Sequence, residues 1–370
     1  MNLSYWEYKT WLSNIDFTIV GSGIVGLNCA LRLHERFPKA KILILEKGFL
    51  PQGASTKNAG FACFGSVSEV LDDLRYHSEE QVQQLVKKRW KGIQLLRKTL
   101  GDSNIDFQRL GGHEVFLDKD DLLYNECLEK LESVNELLYP IFHANPFFKK
   151  ENSFHFNKVK EYYISHEFEG QIDTGKMMQA LLNQVQRNKA ILLNAVEVEE
   201  FIENETGIIV KTNRFEFDTK KLIIATNGFA LGLLNESIKP ARAQVLLTKP
   251  IENLEVAGTF HFDRGYYYFR NVHNRILIGG GRNLDFKAEE TTEFGVSELV
   301  QSRLEGLLTD IILPNIPFEI ESRWSGIMGM GQQKRPIIKQ LSNHAFCGVR
   351  LGGMGIAIGS LVGKEVADLV

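Results

Sequence analysis

The sequence predicts a mixed α/β chain in which a discontinuous domain of parallel strands and helices carries an inserted α+β domain built on an antiparallel sheet. Three observations lead there. A strand, a glycine-rich turn, a helix and a second strand follow one another between residues 16 and 46. A second buried strand, Lys221-Leu222-Ile223-Ile224-Ala225, returns far downstream. Between about 241 and 320, strands of aromatic and branched residues joined by short turns replace the strand-helix alternation.

The first unit is read element by element. Phe17-Thr18-Ile19-Val20 is a short apolar run suited to a buried strand, Gly21-Ser22-Gly23-Ile24-Val25-Gly26 follows at once, and 27–37 has helical apolar spacing until Pro38. Lys41-Ile42-Leu43-Ile44-Leu45-Glu46 is the next strand, which completes a βαβ unit. Residues 67–100 and 120–140 carry apolar residues at intervals of three and four, and so are helical. From 172 the alternation resumes, with a helix over 177–187 and strands at 191–193, 196–202, 207–212 and 221–225. Tyr266-Tyr267-Tyr268-Phe269-Arg270 and Arg275-Ile276-Leu277-Ile278-Gly279 form a hairpin around Val272-His273-Asn274. There is no fixed-period repeat. The expected division is 1–85, 166–240 and 321–370 for the discontinuous domain, with 86–165 and 241–320 for the inserted one.

Bulk properties narrow the function. A chain of 370 residues has room for about two domains. Apolar residues are 44% and charged residues 24%, the proportions of an ordinary globular protein. The net charge is -3 and basic residues are dispersed, which gives no basic face for nucleic acid. The cluster Lys87-Lys88-Arg89 reads as a solvated helix face. Cys29, Cys63, Cys127 and Cys347 lack metal-ligand spacing, so four free thiols in a reducing, cytoplasmic setting and no bound metal are expected. No run reaches the roughly 18 apolar residues of a membrane span.

The glycine turn carries the first chemistry. Between a strand and a helix, Gly21 permits the tight turn, Gly23 lets the backbone approach a pyrophosphate, and Gly26 lets helix and strand pack closely. The helix start at Ile24 then presents unpaired amides to phosphate. Glu46, twenty residues beyond Gly26, ends the second strand where a carboxylate accepts hydrogen bonds from ribose hydroxyls. This is a dinucleotide site, and the turn alone serves NAD and FAD equally.

Three distant segments choose between them. Ala54-Ser55-Thr56-Lys57-Asn58-Ala59-Gly60, Ala225-Thr226-Asn227-Gly228 and Gly352-Gly353-Met354-Gly355-Ile356 resemble, in order, signatures of the D-amino-acid oxidase-like FAD-dependent oxidoreductases, whose members include glycine oxidase and sarcosine oxidase. The resemblance spans nearly the whole chain and is weakest over 67–165. It implies a Rossmann-like FAD-binding domain with noncovalent FAD. By resemblance, Ala54, Ser55, Asn58, Ala59, Gly60 and Phe61 pass the ribityl chain and flavin; Lys47 follows the ribose acid; Val196 meets the adenine; Thr226, Asn227 and Gly228 press on the dinucleotide. Gly353, Met354, Gly355 and Ile356 lie beside the flavin ring, their amides facing charge that develops there.

Substrate residues are less closely matched. Tyr267 falls where glycine oxidase has a substrate-contacting tyrosine, though an aromatic strand residue also reads as core. Met328 stands where that family's carboxylate-binding arginine is expected, after Trp324-Ser325-Gly326-Ile327. Arg350 and Arg270 are the candidates to replace it, and each also reads as a structural ion-pair residue. Leu277 stands at the position of the oxygen-activating lysine of sarcosine oxidase, which leaves oxygen or a carrier as electron acceptor. Cys63 follows the flavin loop and reads mainly as a small buried hydrophobe. The implied activity is oxidation of the C-N bond of a small amine or amino acid, by hydride transfer to flavin N5, to an imine that water hydrolyses. A flavin dehydrogenase of a 2-hydroxy acid and a dinucleotide-binding protein without turnover are the alternatives.

Overall fold

A computed structural model describes residues 3–370. Its first sheet has eight strands, and its spine runs in the order Ile337–Gln340, Ala345–Val349, Glu216–Ile224, Ile15–Val20, Ile42–Leu45, Ile191–Leu193. The five strands from Ala345–Val349 onward are mutually parallel, with Val20 level with Leu45 on one side and Ile224 on the other. Strand ends therefore gather along one edge, the place where open parallel sheets bind ligands. The antiparallel pair Val198–Glu203 and Ile208–Thr212 continues from Glu216–Ile224.

Alternation along the strands separates two cores. Ile19, Ile44 and Ile223 face the helices Ile24–Arg36, Thr174–Arg187 and Gly355–Leu369, while Val20, Leu45 and Ile224 face the Val198–Thr212 side. Ile24–Arg36 and Gly355–Leu369 cross so closely that a side chain at Gly363 would sit 2.4 Å from the Val25 carbonyl. The N-terminal segment closes one end of the second core through Leu12.

The second sheet also has eight strands, in the order Ile320–Met330, Lys239–Thr248, Arg275–Gly280, Tyr267–Val272, Thr259–Phe262, Gly112–Glu114, Tyr162–His166, Phe147–Glu151. All neighbours are antiparallel except Thr259–Phe262 with Gly112–Glu114. Its outer face packs on the helix Glu298–Leu307 through Phe260, Phe262, Tyr267 and Phe269. Phe260 and Phe269 stack 4.5 Å apart across the strand pair, which adds about 1 kcal/mol beyond burial.

The expected hairpin appears as Tyr267–Val272 and Arg275–Gly280, turning through His273 at φ 52°. The helical stretch 67–100 is broken into Val67–Leu74 and Glu79–Leu100, each started by a serine capping box, at Ser66 and Ser78. Two expected domain boundaries cut through elements. Residue 85 lies inside Glu79–Leu100, which packs on Gly355–Leu369 of the parallel-sheet half, and 321 lies inside Ile320–Met330, the edge strand of the second sheet.

Candidate active site

A cleft of about 1370 Å³ lies between the edge of the first sheet and the inner face of the second. Its floor begins at the glycine turn. Gly21 holds φ +101°, donates to the Leu45 carbonyl at 2.8 Å, and leaves no room for a side chain against the Ala225 carbonyl. Gly26 does not face the cleft; a Cβ there would lie 2.0 Å from the Gly21 carbonyl. Its task is to let helix meet strand. Gly23, the N-cap of Ile24–Arg36, has no side chain to cap the helix. Ser55 does so from another segment, accepting from Ile24 N at 2.9 Å. The flavin-loop serine and the pyrophosphate turn are thus one site.

Glu46 is buried at the strand end, where Ser22 N and Oγ donate to Oε2 and Gly48 N donates to Oε1. These bonds fix its carboxylate at the cleft wall. Lys47 lines the cleft rim and pairs with Glu197 at 2.6 Å. Val196 lines the cleft, but its amide is engaged by the Glu46 carbonyl at 2.9 Å; Val198, two residues on, lines the same wall.

Ala54–Thr56 is one 3-10 turn, and Asn58 ties it together. The Asn58 amide donates to the Ala54 and Ser55 carbonyls, and its oxygen accepts from Gly60 N and Thr174 Oγ1. Arg270 completes the brace, donating to the carbonyls of Ala59 and Ile172. Burial pulls its guanidinium down to about 10. Arg270 does not line the cleft. It is a strut between sheet and loop, not the substrate cation that the sequence offered.

On the opposite side, Asn227 adopts φ +48° and accepts from Leu351 N at 3.1 Å, joining the 226–228 turn to the C-terminal glycines. Gly228 is packed under Met328, where a Cβ would lie 2.5 Å from the Met328 carbonyl, and does not face the cleft. The Gly355–Leu369 helix opens into the cleft behind Met354, which makes no side-chain cap bond. Its first amides, including those of Gly355 and Ile356, are therefore offered to the cleft.

The inner face of the second sheet corrects one expectation. Tyr267 points outward, buried at 5% among Val300, Leu304 and Phe269. Strand parity puts its neighbour Tyr268 in the cleft, edge-on to Phe61 at 5.5 Å and beneath Gly279. Burial raises its phenol to about 12, so it is a hydroxyl donor. Met328, Val245, Ala243 and Phe61 make this wall apolar. Arg350, held at φ +63°, lines the cleft but donates to the Arg335 and Ser237 carbonyls.

The family model for FAD dependent oxidoreductases (DAO) matches residues 16–369. The chain belongs to that family. It is 20% identical to a probable oxidoreductase, OrdL, of Haemophilus influenzae, over 98% of this chain and 84% of that one. Its fold is similar to that of glycine oxidase from Geobacillus kaustophilus, with a TM-score of 0.75 and 20% identity over 96% and 94% of the two chains. L-proline dehydrogenase from P. horikoshii gives 0.75 and 19% over 96% and 93%. L-amino acid deaminase from Proteus vulgaris gives 0.70 and 17% over 97% and 90%.

The cleft of this family member fits a flat dinucleotide on its own evidence. Thr226 Oγ1 is buried on the cleft wall without a hydrogen-bond partner. A side chain at Gly53, Gly352, Gly353 or Gly355 would meet nothing within 4 Å, so these glycines border open room. A buried hydroxyl left unpaired is a cost that a ligand removes.

Sequence reading missed the polar corner of the site. Glu169, fully buried, accepts from the ring nitrogens of His166 at 2.8 Å and His261 at 2.7 Å. Burial opposes the Glu169 charge, but the His261 charge and the hydrogen bonds from both imidazoles outweigh it and hold the carboxyl well below its usual range. Burial likewise opposes the His261 charge, and Glu169 overrides it, lifting His261 to about 9. Cys63 lies beside them; burial first, then Glu169 and Glu69, push its thiol well up. Donor atoms of Cys63, Glu169 and His261 lie within 4.8 Å of one another, a convergence that spacing along the chain does not show. Arg89 is also missed: Lys87 is exposed, but Arg89 is buried and lines the cleft, against the expected solvated face.

Proposed function

We propose that the chain binds FAD noncovalently and oxidises the C-N bond of a small amine or amino acid. The observation that carries this reading is the facing of two surfaces across one cleft. Unobstructed glycines and helix amides lie on one side, and the apolar wall of Tyr268, Met328, Val245 and Phe61 lies on the other. A flat ring against the first surface leaves a small, dry space before the second. The names of structural neighbours, which act on glycine, proline and other amino acids, point the same way.

Bound FAD supplies the two-electron acceptor that no side chain provides. Ser55, Glu46, Thr226 and the amides at 353–356 would hold it. The apolar wall excludes water and positions the substrate carbon, and the Tyr268 hydroxyl orients the amine or its substituent. A substrate amine that enters neutral needs no side-chain base, and Glu46 and Glu69 are already engaged. Glu46 is fixed by Ser22 and Gly48, and Glu69 accepts from Ser66 N.

The test is an absorption spectrum of the purified protein, followed by anaerobic mixing with amines, amino acids and 2-hydroxy acids. Flavin bands that bleach with amino acids or amines support the reading. Bleaching by hydroxy acids alone assigns a different donor, and a colourless protein that gains no thermal stability with FAD refutes it.

A further inference from the structure

Segment 331–336 crosses the mouth of the cleft. It leaves Ile320–Met330, the edge strand of the second sheet, and enters Ile337–Gln340, the edge strand of the first. Gln333 and Lys334 line the cleft together with Glu69 and Asp72 of the helix Val67–Leu74. Among the described residues, none of the segment's amides or carbonyls pairs with another main-chain group. Side chains hold it instead. On the near bank, Arg350 Nε donates to the Arg335 carbonyl at 3.1 Å, and Gly331 packs on the Arg350 side chain, where a Cβ would lie 2.5 Å from Cδ.

Lys334 ties the segment to the far bank. Its ammonium is 2.6 Å from Asp73 and 3.4 Å from Asp72. Asp73 is buried, and a buried carboxylate requires a partner. Burial opposes the Lys334 charge, but the hydrogen bond and charge of Asp73, followed by Glu69 and Asp72, hold the ammonium above its usual range. The same helix meets the turn Asp263–Gly265, where a Cβ on Gly265 would lie 3.1 Å from the Glu69 carboxylate. Helix, turn and segment 331–336 thus frame one opening, with Arg264 and Tyr266 on its rim.

We propose that 331–336 is a strap latched by Lys334 to Asp73, and that the latch sets the size of substrate the cleft admits. Compact molecules reach the apolar wall of Tyr268 and Met328 past the closed strap; those with a bulky substituent reach it only when the latch opens. This rests on the reading above that a substrate binds between that wall and the cofactor. A segment without main-chain ties, bounded by Gly331 and Pro336, opens without unfolding either sheet. An ion pair suits such a latch, because both charges are rehydrated when they part and the cost of opening stays modest.

The test uses the FAD-loaded protein and a size series in two chemistries: glycine, alanine, phenylalanine and tryptophan, and the matching 2-hydroxy acids glycolate, lactate, phenyllactate and indolelactate. Anaerobic flavin reduction gives the ratio of second-order rate constants, bulky over compact, and tryptic cleavage after Lys334 reads the strap directly. Lys334→Ala raises the ratio about tenfold. Asp73→Asn raises it as much and speeds cleavage after Lys334 by about tenfold. Lys334→Arg, which keeps the ion pair, retains the wild-type ratio. FAD bound per polypeptide shows that each variant is folded. An unchanged ratio in FAD-loaded Lys334→Ala and Asp73→Asn overturns the proposal. So does a raised ratio in Asp73→Asn without faster cleavage, because the change would then act on the wall and not on the strap. If the hydroxy acids alone reduce the flavin and show the raised ratio, the latch stands and the amine-oxidising reading falls. If no member of either series reduces the flavin of wild type or variants, both fall.

Discussion

The two walls of the cleft are built by different means. The wall on the parallel sheet is almost entirely main chain: Gly21, Gly23, the 226–228 turn, the C-terminal glycines and two helix starts, with Ser55 and Glu46 as its main side-chain partners. The wall on the antiparallel sheet is made of side chains, Tyr268, Met328, Val245 and His261, and the buried Arg89 joins it from Glu79–Leu100, the helix packed on Gly355–Leu369. Backbone suits a ligand portion that is constant, since amides offer the same contacts whatever residue carries them. Side chains suit a portion that distinguishes one substrate from another, because each can be exchanged without moving the chain.

This difference predicts how each wall fails. The largest effect belongs to the backbone wall: Gly26→Val drives a side chain into the Gly21 carbonyl, and should cost about 3 kcal/mol or more and empty the protein of flavin. Absorbance per polypeptide and urea unfolding check both. Behind the other wall, Glu169→Gln should cost about 3 kcal/mol, because it leaves two buried imidazoles without their carboxylate.

The Glu169 variant also has a pH signature. His261 is raised from its ordinary value to about 9 by Glu169, so the folded protein holds a proton that the unfolded chain releases near pH 6.5. That stabilisation is complete below about 6.5 and is lost as pH rises through about 9. The lowered Glu169 contributes above its unfolded value and loses that contribution as pH falls. Glu69 and Glu114 also face His261 and raise it further, and His166 shares the Glu169 carboxylate, none of which changes the sign. Wild-type stability should therefore fall between pH 7 and about 9, and Glu169→Gln should flatten that limb in melting curves.

A smaller effect sharpens the parity of the aromatic strand. Tyr268→Phe should slow anaerobic flavin reduction by about tenfold through loss of one hydrogen bond, while Tyr267→Phe leaves it unchanged; equal effects would contradict the assignment of faces. Smallest is Ser55→Ala, which removes the cap on Ile24 N and should cost about 1 kcal/mol, with FAD bound more weakly in titration.

Much of the backbone wall is legible in the sequence. The 21–26 glycines, Glu46 and the 352–355 glycines are local signals, because turn geometry, strand length and helix start are encoded within a few residues. Gly26 serves helix-strand packing as its spacing implies, but Gly228 also serves packing, and Gly23 lies against Ser55. The side-chain wall was legible only in outline. Tyr266-Tyr267-Tyr268 marks an aromatic strand, but which ring faces the cleft is set by where the strand begins. That follows from the turn Asp263–Gly265, with Arg264 at φ 53° and Gly265 at φ 77°, and from pairing of Tyr267 with Phe262 and Gly280.

The sequence by itself determined the parallel-sheet frame, its dinucleotide edge and the antiparallel character of the second sheet, since periodicity and glycine spacing act over short range. Tertiary structure alone decided which charges meet. Cys63, Arg89, Glu169 and His261 come from four separate elements, and nothing in their spacing announces that they share a corner. It also turned Arg270 from a candidate anchor into a strut and made Arg89 a buried cation. The physical reason is that a charge's role depends on burial and on the partner within a few ångströms, and both are properties of packing.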